Sequence, residues 1–111
     1  MGKCVFGFDF GTLSCRGVAI DLNDGRLIAT AEMDYPKGAI SEKLPGTEEE
    51  LPPEWFLQDP MDWLESMRYV SKTMLKEGNI APEDVLAIGT DFTSCTLLPV
   101  AEDSTPLCFL Q

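Results

Sequence analysis

The stretch FGFDFGTLSCRG, at positions 6–17, constrains the fold of this chain more than any other. The β-branched and aromatic residues that lead into it are typical of a buried strand. Gly11 can adopt backbone angles that would crowd any residue with a side chain, so it predicts a tight turn. Positions 14–22 then predict a second strand. Asn23-Asp24-Gly25 is a strong hairpin signal before a third strand at 26–33, so the chain opens as a three-stranded meander.

The first turn also carries polar groups that could do chemistry. Backbone N–H groups and the hydroxyls of Thr12 and Ser14 converge there, and such donors can hold a phosphate group. Asp9 precedes the turn and offers a carboxylate to a metal ion. An ordinary β-hairpin with one acidic residue gives the same local pattern, so both interpretations stay open on the turn alone.

A proline-rich stretch at 37–58 predicts a long excursion over the surface, either a flap beside a binding site or a disordered insertion. Asp59-Pro60 then predicts a helix start, because aspartate caps free N–H groups and proline fits the first helical position. The helix is expected to end at about Glu77, with Gly78 as the stop. Its expected apolar face comprises Trp63 or Leu64, Met67, Val70, Met74 and Leu75.

The continuous apolar run at 85–91 predicts a strand that is buried on both faces. Because a helix connects it to the first strand, we expect the two to run parallel, with Asp9 and Asp91 near the same edge of the sheet. Positions 97–100 and 106–110 predict two further extended segments, with a turn at 101–104 between them.

Composition excludes several classes of protein. A hydrophobic content of 44% in 111 residues fits one globular unit, and a net charge of −11 argues against binding nucleic acid. No apolar stretch approaches the roughly 20 residues of a membrane helix, and no leader is apparent, so we expect a cytoplasmic protein that does not bind a membrane. The four cysteines lack the spacing of a zinc site, and no histidine accompanies them, so we expect reduced thiols.

Three separated segments share the order and spacing of a known family. They are the opening turn, LPPEWFLQDP at 51–60 and IGTDFTSCTLLPV at 88–100. Together they resemble the N-terminal part of the FGGY carbohydrate kinases, and DFTSCT at 91–96 looks most like the branch that phosphorylates L-ribulose. The resemblance implies an α/β fold with a ribonuclease-H-like (actin-like ATPase) sheet, in the order β-β-β-α-β-β. Family members are several times longer, so residues 1–111 are expected to be the N-terminal part of the first kinase domain.

The resemblance also implies site residues. Gly11, Thr12, Ser14 and Arg16 match the positions that bind the phosphates of ATP, and Asp9 matches the one that binds the Mg²⁺–water cluster. Leu13 departs from the glycerol kinases, which have a hydroxyl residue there. The positions that touch the sugar in this family are matched by Thr93, Ser94, Cys95 and Thr96. The catalytic base of the family lies further along its longer chains, so no catalytic residue is expected within these 111.

Several alternatives stay open. The sugar or polyol could be xylulose, ribitol or glycerol, or the chain could be a non-catalytic, actin-like nucleotide-binding module. Asp91 and Thr96 could simply form a hydrogen-bonded turn stabilised by their own side chains. Cys95 is not expected to be a nucleophile, because no histidine is present to activate it. The expected partners are the sugar and the remainder of the kinase, with self-association through the exposed segment 106–110.

Overall fold

The computed structural model describes residues 2–110, which form one mixed sheet and one long helix. The elements, in chain order, are β1 (Cys4–Phe10), β2 (Ser14–Asp21), β3 (Leu27–Asp34), α1 (Pro60–Glu77) and β4 (Val85–Phe92). The strand order is β3-β2-β1-β4, in which β1 pairs antiparallel with β2 and parallel with β4. The predicted meander and the parallel crossover are confirmed, and the predicted α/β fold class with them.

The start of α1 follows the local chemistry of its sequence. The carboxylate of Asp59 accepts a hydrogen bond from the backbone N–H of Met61 at 2.9 Å, and Pro60 occupies the first helical position. Lys37 forms an ion pair with the same Asp59 carboxylate, and its backbone N–H donates to Asp62 at 3.1 Å. The long excursion before the helix is therefore anchored to the first turn of α1.

The end of α1 differs in detail from the sequence prediction. Gly78 is the C-cap, but its φ is −83°, and the left-handed residue is Asn79 with φ 50°. The N–H of Ile80 donates to the carbonyl of Leu75 at 2.9 Å, which completes a Schellman-type end. A Cβ at Gly78 would lie 2.9 Å from the carbonyl oxygen of Met74. Close packing, and not a left-handed backbone, therefore requires the glycine.

The helix covers one face of the sheet and packs over β2 and β3. Val70 and Met74 are fully buried, as the predicted apolar face requires, and Trp63 is half-buried while Leu64 is exposed. Alternate residues of β1 and β2 point into the same core. The buried apolar residues are Cys4, Phe6, Phe8, Phe10, Cys15, Ala19, Tyr35, Val70, Met74 and Ile80.

The prediction that the fourth strand is buried on both faces is wrong for residues 2–110. β4 is an edge strand whose residues after Val85 are all exposed, including Ile88. The reason is the position of α1, which packs mainly over β2 and β3 and reaches β4 at its last residue, Phe92, through the Trp63 ring. A continuous apolar run of this kind is typical of a strand that other elements cover on both faces. Residues 2–110 do not supply that cover.

The prediction of extended strands at the end of the chain is also wrong. Residues 2–110 have the order β-β-β-α-β, without a fifth strand. Positions 97–100 and 106–110 share only one bridge, between Val100 and Pro106, and Leu107–Phe109 form a 3₁₀ turn. Pro99 and Pro106 have no N–H donor, so the two segments cannot form a regular ladder. Residues 106–110 therefore present no strand edge for the predicted self-association, and the outer strands of the described sheet are β3 and β4. Self-association of the chain stays a prediction.

Between β3 and α1 the chain makes the predicted surface excursion. Two isolated bridges, Ile40 with Leu57 and Lys43 with Glu50, fold this loop back on itself. The loop therefore has a defined course alongside the β1–β2 turn. Within residues 2–110, α1 and the shorter helical turns are too short or too polar to cross a bilayer.

Gly17 provides a direct test of the contact between the helix and the sheet. A Cβ at Gly17 would overlap Val70 Cγ1 and lie 2.9 Å from Met74 Cε, whereas a Cβ at Gly89 on β4 would meet nothing within 4 Å. We expect Gly17→Ala to lower the free energy of unfolding by about 1–3 kcal/mol, because it overpacks the core. Urea unfolding followed by circular dichroism measures the loss.

Gly89→Ala is the matched control and should leave the free energy of unfolding nearly unchanged. Val70→Ala provides the space that Gly17→Ala lacks, so the double variant should be more stable than the sum of the two single effects predicts. Equal losses for Gly17→Ala and Gly89→Ala would contradict the packing described here.

Candidate functional site

The β1–β2 turn is closed by a hydrogen bond from the N–H of Gly11 to the carbonyl of Ser14 at 2.8 Å. Gly11 does not have a positive φ, so the expected need for an unusual backbone conformation is not observed. A Cβ at this position would instead lie 3.2 Å from the Ser14 carbonyl oxygen. The glycine allows a close approach across the turn.

The tip of this turn offers free donors. No hydrogen bond among residues 2–110 uses the backbone N–H groups of Thr12 and Leu13, and the side chain of Thr12 is exposed. The turn is fixed to the residue that follows β3, because the N–H of Tyr35 donates to the carbonyl of Leu13 at 2.8 Å. Adjacent free N–H groups on a fixed turn can bind an anion.

Asp9 and Arg16 lie on the open face of the sheet, opposite α1. They are direct partners in the β1–β2 register, and Asp9 is also the partner of Asp91 in the parallel register. The guanidinium of Arg16 lies 3.4 Å from a carboxylate oxygen of Glu32, and both side chains are exposed. A row of charged side chains therefore crosses the open face beside the turn. The exposed ion pair contributes little to stability and leaves Arg16 free to exchange partners.

The 93–96 segment continues from β4 at the same end of the sheet. The N–H of Thr93 donates to the carbonyl of Phe10 at 3.2 Å, so the segment starts beside the β1–β2 turn. The hydroxyl of Thr96 lies 2.5 Å from the Thr93 hydroxyl and donates to the Thr93 carbonyl at 2.9 Å. The hydrogen-bonded turn that the sequence left as an alternative for Thr96 is therefore present. No side-chain hydrogen bond of Asp91 to another residue in 2–110 accompanies it.

Cys95 has an unusual backbone for its type, with φ 61° in the left-handed region. Such a conformation costs energy in a residue other than glycine and is found where a turn or a site requires it. Its thiol is exposed, as is that of Cys108, whereas Cys4 and Cys15 are buried, and all four are unpaired. Burial raises the pKa of the Cys15 thiol, and the neighbouring Ser66 side chain lowers it in part.

One cavity of about 500 Å³ joins the two sets of predicted site residues. Thr12 of the β1–β2 turn lines it on one side, and Cys95 and Thr96 line it on the other. Asp9, Gly11, Ser14, Arg16, Thr93 and Ser94 lie outside this lining. The structure therefore brings one phosphate-side residue together with two sugar-side residues.

Sequence reasoning missed nine further residues that line the same cavity, among them Phe56, Gln58 and Trp63. The Trp63 ring packs edge-on against Phe92, with centroids 5.6 Å apart, and Phe92 stacks on Phe10 at 4.5 Å. Trp63 was expected only as part of the helix face. Gln58 belongs to no periodic pattern, and the available signals were its place in the family-like segment at 51–60 and just before the helix cap.

Asp9 and Asp91 are the carboxylates at this edge that could hold a divalent cation. Within residues 2–110 no group of three or more histidine, cysteine, aspartate or glutamate side chains is close enough to hold a metal ion alone. Asp9 is exposed, however, and Asp91 occupies the paired position on β4. Mg²⁺ usually retains several waters and binds one or two carboxylates together with phosphate oxygens, so two carboxylates beside an anion-binding turn suit it.

Tyr35 lies beneath the β1–β2 turn and carries a buried hydroxyl without a hydrogen-bond partner in residues 2–110. Burial raises the pKa of this phenol to about 12, with further contributions from Cys15, Asp9 and Asp62. Because burial disfavours the phenolate in the folded state, ionisation of this group does not oppose folding below the ordinary tyrosine pKa of about 10. As the pH rises from about 10 towards 12, the phenol ionises more readily in the unfolded state, and the free energy of unfolding falls.

We therefore expect the free energy of unfolding to fall less between about pH 10 and pH 12 in Tyr35→Phe than in the unmodified chain, because the variant has no phenol to ionise. At neutral pH the same variant should be as stable as the unmodified chain or slightly more so, because it removes an unpaired buried hydroxyl. Urea unfolding at several pH values measures both effects, with Tyr69→Phe as the exposed control. A large loss of stability in Tyr35→Phe at pH 7 would show that the hydroxyl has a partner.

Comparison with known proteins places this site in a family. No family model matches the chain, but a ribulokinase from Halalkalibacterium halodurans is 43% identical over 108 residues, which cover 97% of this chain and 19% of that protein. The chain thus spans about a fifth of the length of the curated relatives that it matches.

Solved structures show the same fold at low identity. A xylulose kinase from Rhodospirillum rubrum matches with a TM-score of 0.66 at 19% identity, covering 94% of this chain and 19% of that one. A gluconate kinase from Lactobacillus acidophilus matches with a TM-score of 0.68, also at 19% identity, covering 95% of this chain and 18% of that one. The fold is therefore shared by sugar kinases named for different substrates. Since the identity to ribulokinases extends over nearly its whole length, the resemblance of this chain to the FGGY carbohydrate kinases is confirmed.

Proposed function

We propose that the protein to which this chain belongs transfers the terminal phosphoryl group of ATP to a ketopentose, converting L-ribulose to L-ribulose 5-phosphate. The observation that carries the proposal is the cavity in which Thr12 of the β1–β2 turn faces Cys95 and Thr96. Phosphoryl transfer requires the phosphate donors and the sugar hydroxyl to be held side by side. The similarity to ribulokinases supports L-ribulose as the sugar.

The phosphate side of the proposed site comprises Gly11, Thr12, Ser14 and Arg16. The free N–H groups at the tip of the turn would donate to phosphate oxygens, and the guanidinium of Arg16 would exchange Glu32 for the phosphates. Asp9 would hold Mg²⁺ through its waters. When bound, Mg²⁺ neutralises charge on the phosphate oxygens.

The sugar side of the proposed site is the 93–96 segment. Short hydroxyl and thiol side chains can contact the hydroxyl groups of a pentulose without filling the space that it needs. The hydrogen bonds of Thr96 to Thr93 hold the segment in its turn, which leaves Ser94 and Cys95 as the side chains free to contact sugar. We place the catalytic base, the adenine pocket and the second domain in other parts of the protein, and the protein itself in the cytoplasm.

The proposal is tested with the full-length protein purified and supplied with MgATP. ADP formation is measured with L-ribulose, xylulose, ribitol and glycerol, and L-ribulose should give the highest kcat/KM. A higher value for another substrate would assign the protein to a different branch of the family. Nucleotide binding without sugar-dependent ADP formation would favour the non-catalytic module instead. Residues 1–111 alone should show no turnover above a buffer control, because the proposed base lies elsewhere.

Two substitutions in the full-length protein should separate the two sides of the site. Asp9→Asn should lower kcat by about 10- to 100-fold with little change in the KM for sugar, because it weakens a contact to the metal waters. Ser94→Leu should instead raise the KM for L-ribulose by about 10-fold or more, because it crowds the sugar side. Steady-state kinetics with each substrate varied in turn measures both.

Ser41→Leu, at an exposed serine of the surface loop, is the control for the added bulk and should behave as the unmodified protein. If Asp9→Asn and Ser94→Leu both changed only the KM for ATP, the division into a phosphate side and a sugar side would be wrong.

A further inference from the structure

Gln58 joins two walls of the cavity through its side-chain amide. Its Nε2 donates to the backbone carbonyl of Thr12 at 3.2 Å. Its Oε1 accepts from the indole Nε1 of Trp63 at 3.1 Å. All three residues line the same cavity. The amide therefore links the tip of the β1–β2 turn to the first turns of α1.

The chemistry of the two partners requires a group of this kind. An indole N–H can only donate a hydrogen bond, and a backbone carbonyl can only accept one. A bridging side chain must therefore present an acceptor to Trp63 and a donor to Thr12 at the same time. A carboxylate satisfies only Trp63, and an apolar side chain of similar length satisfies neither. The orientation of the Gln58 amide follows from these partners.

The bridge acts at the tip of the β1–β2 turn, where the proposed phosphate donors lie. The carbonyl of Thr12 belongs to the peptide unit whose N–H is that of Leu13, so a bond that holds the carbonyl also fixes the direction of this donor. Tyr35 holds the next carbonyl, that of Leu13, from below. The two bonds together leave the tip little freedom to rotate. Trp63 is itself fixed against Phe92 at the end of β4.

We propose that Gln58 is a positioning residue, which aligns the phosphate-binding N–H of the β1–β2 turn with the sugar held by the 93–96 segment. This inference rests on the proposed function. Because Gln58 also lines the cavity, a sugar bound there lies next to the side chain that orients the turn. Loss of the bridge should slow phosphoryl transfer, since a small misplacement of reacting groups is costly.

The kinetic test uses the full-length protein with Gln58→Met and Gln58→Glu. Both should lower kcat by about 10-fold or more and keep the KM for L-ribulose within about threefold, because both lose the donor to Thr12. Lys72→Met places the same side chain at an exposed position of α1 outside the cavity lining and should retain the original kcat. Activity of Gln58→Glu equal to that of the unmodified protein would overturn the proposal, because glutamate keeps only the bond to Trp63.

A second readout does not depend on activity. In ¹H–¹⁵N spectra of the full-length protein, labelled with ¹⁵N at tryptophan and leucine, Gln58→Met should shift the indole resonance of Trp63 and the amide resonance of Leu13. Gln58→Glu should shift the Leu13 amide with less change at the indole. An unchanged Leu13 amide in both variants would overturn the bridge itself. If the unmodified full-length protein does not phosphorylate L-ribulose, the proposed function fails, and these spectra still decide whether the bridge exists.

Discussion

The parallel pairing of β1 with β4 is the interaction on which the rest of this structure depends. It places Asp9 beside Asp91 and Phe10 beside Phe92, so that both strands end at the same edge of the sheet. The bond from the Thr93 N–H to the Phe10 carbonyl extends this pairing by one residue beyond β4. Without the pairing of β1 with β4, nothing would bring the β1–β2 turn and the 93–96 segment to the same cavity. In open sheets with parallel strands, ligands gather beyond the carboxyl ends of those strands.

The helix makes that pairing possible and also leaves the site open. α1 carries the chain from β3 back to the far side of β1, and its contact with β2 is close enough that only glycine fits at position 17. Because α1 lies over β2 and β3, the opposite face of the sheet remains uncovered, with its row of exposed charges from Asp9 to Glu32. The buried core and this row of charged side chains therefore occupy opposite faces of the same strands. This separation lets the core be apolar while the charges stay in water.

The features that sequence could predict are those with local causes. Asp59 and Pro60 predicted the start of α1 because capping needs only neighbouring residues, and Asn23-Asp24-Gly25 predicted a hairpin for the same reason. The burial of β4 could not be predicted from its apolar run, because burial depends on which neighbours cover a strand. The extended segments at 97–100 and 106–110 failed because two prolines remove the donors that a ladder needs, a constraint that an apolar pattern does not show.

The candidate site was predicted in part. Family resemblance selected the two segments, and the structure adds their shared cavity, but it shows Arg16 paired with Glu32 and Thr96 bonded within its own turn. Gln58 was missed because its role depends on two partners, Thr12 and Trp63, that only the folded chain brings within reach. Contacts between distant parts of a chain leave no periodic signal in the sequence.

The most direct test of this account is a nuclear Overhauser spectrum of the isotopically labelled chain, examined for contacts between β1 and β4. The account predicts contacts between the rings of Phe10 and Phe92, together with contacts of Phe6 with Ile88 and Phe8 with Thr90, in parallel order. Contacts of Phe6 with Phe92, or no contacts between the two strands, would contradict the shared edge on which the proposed site depends.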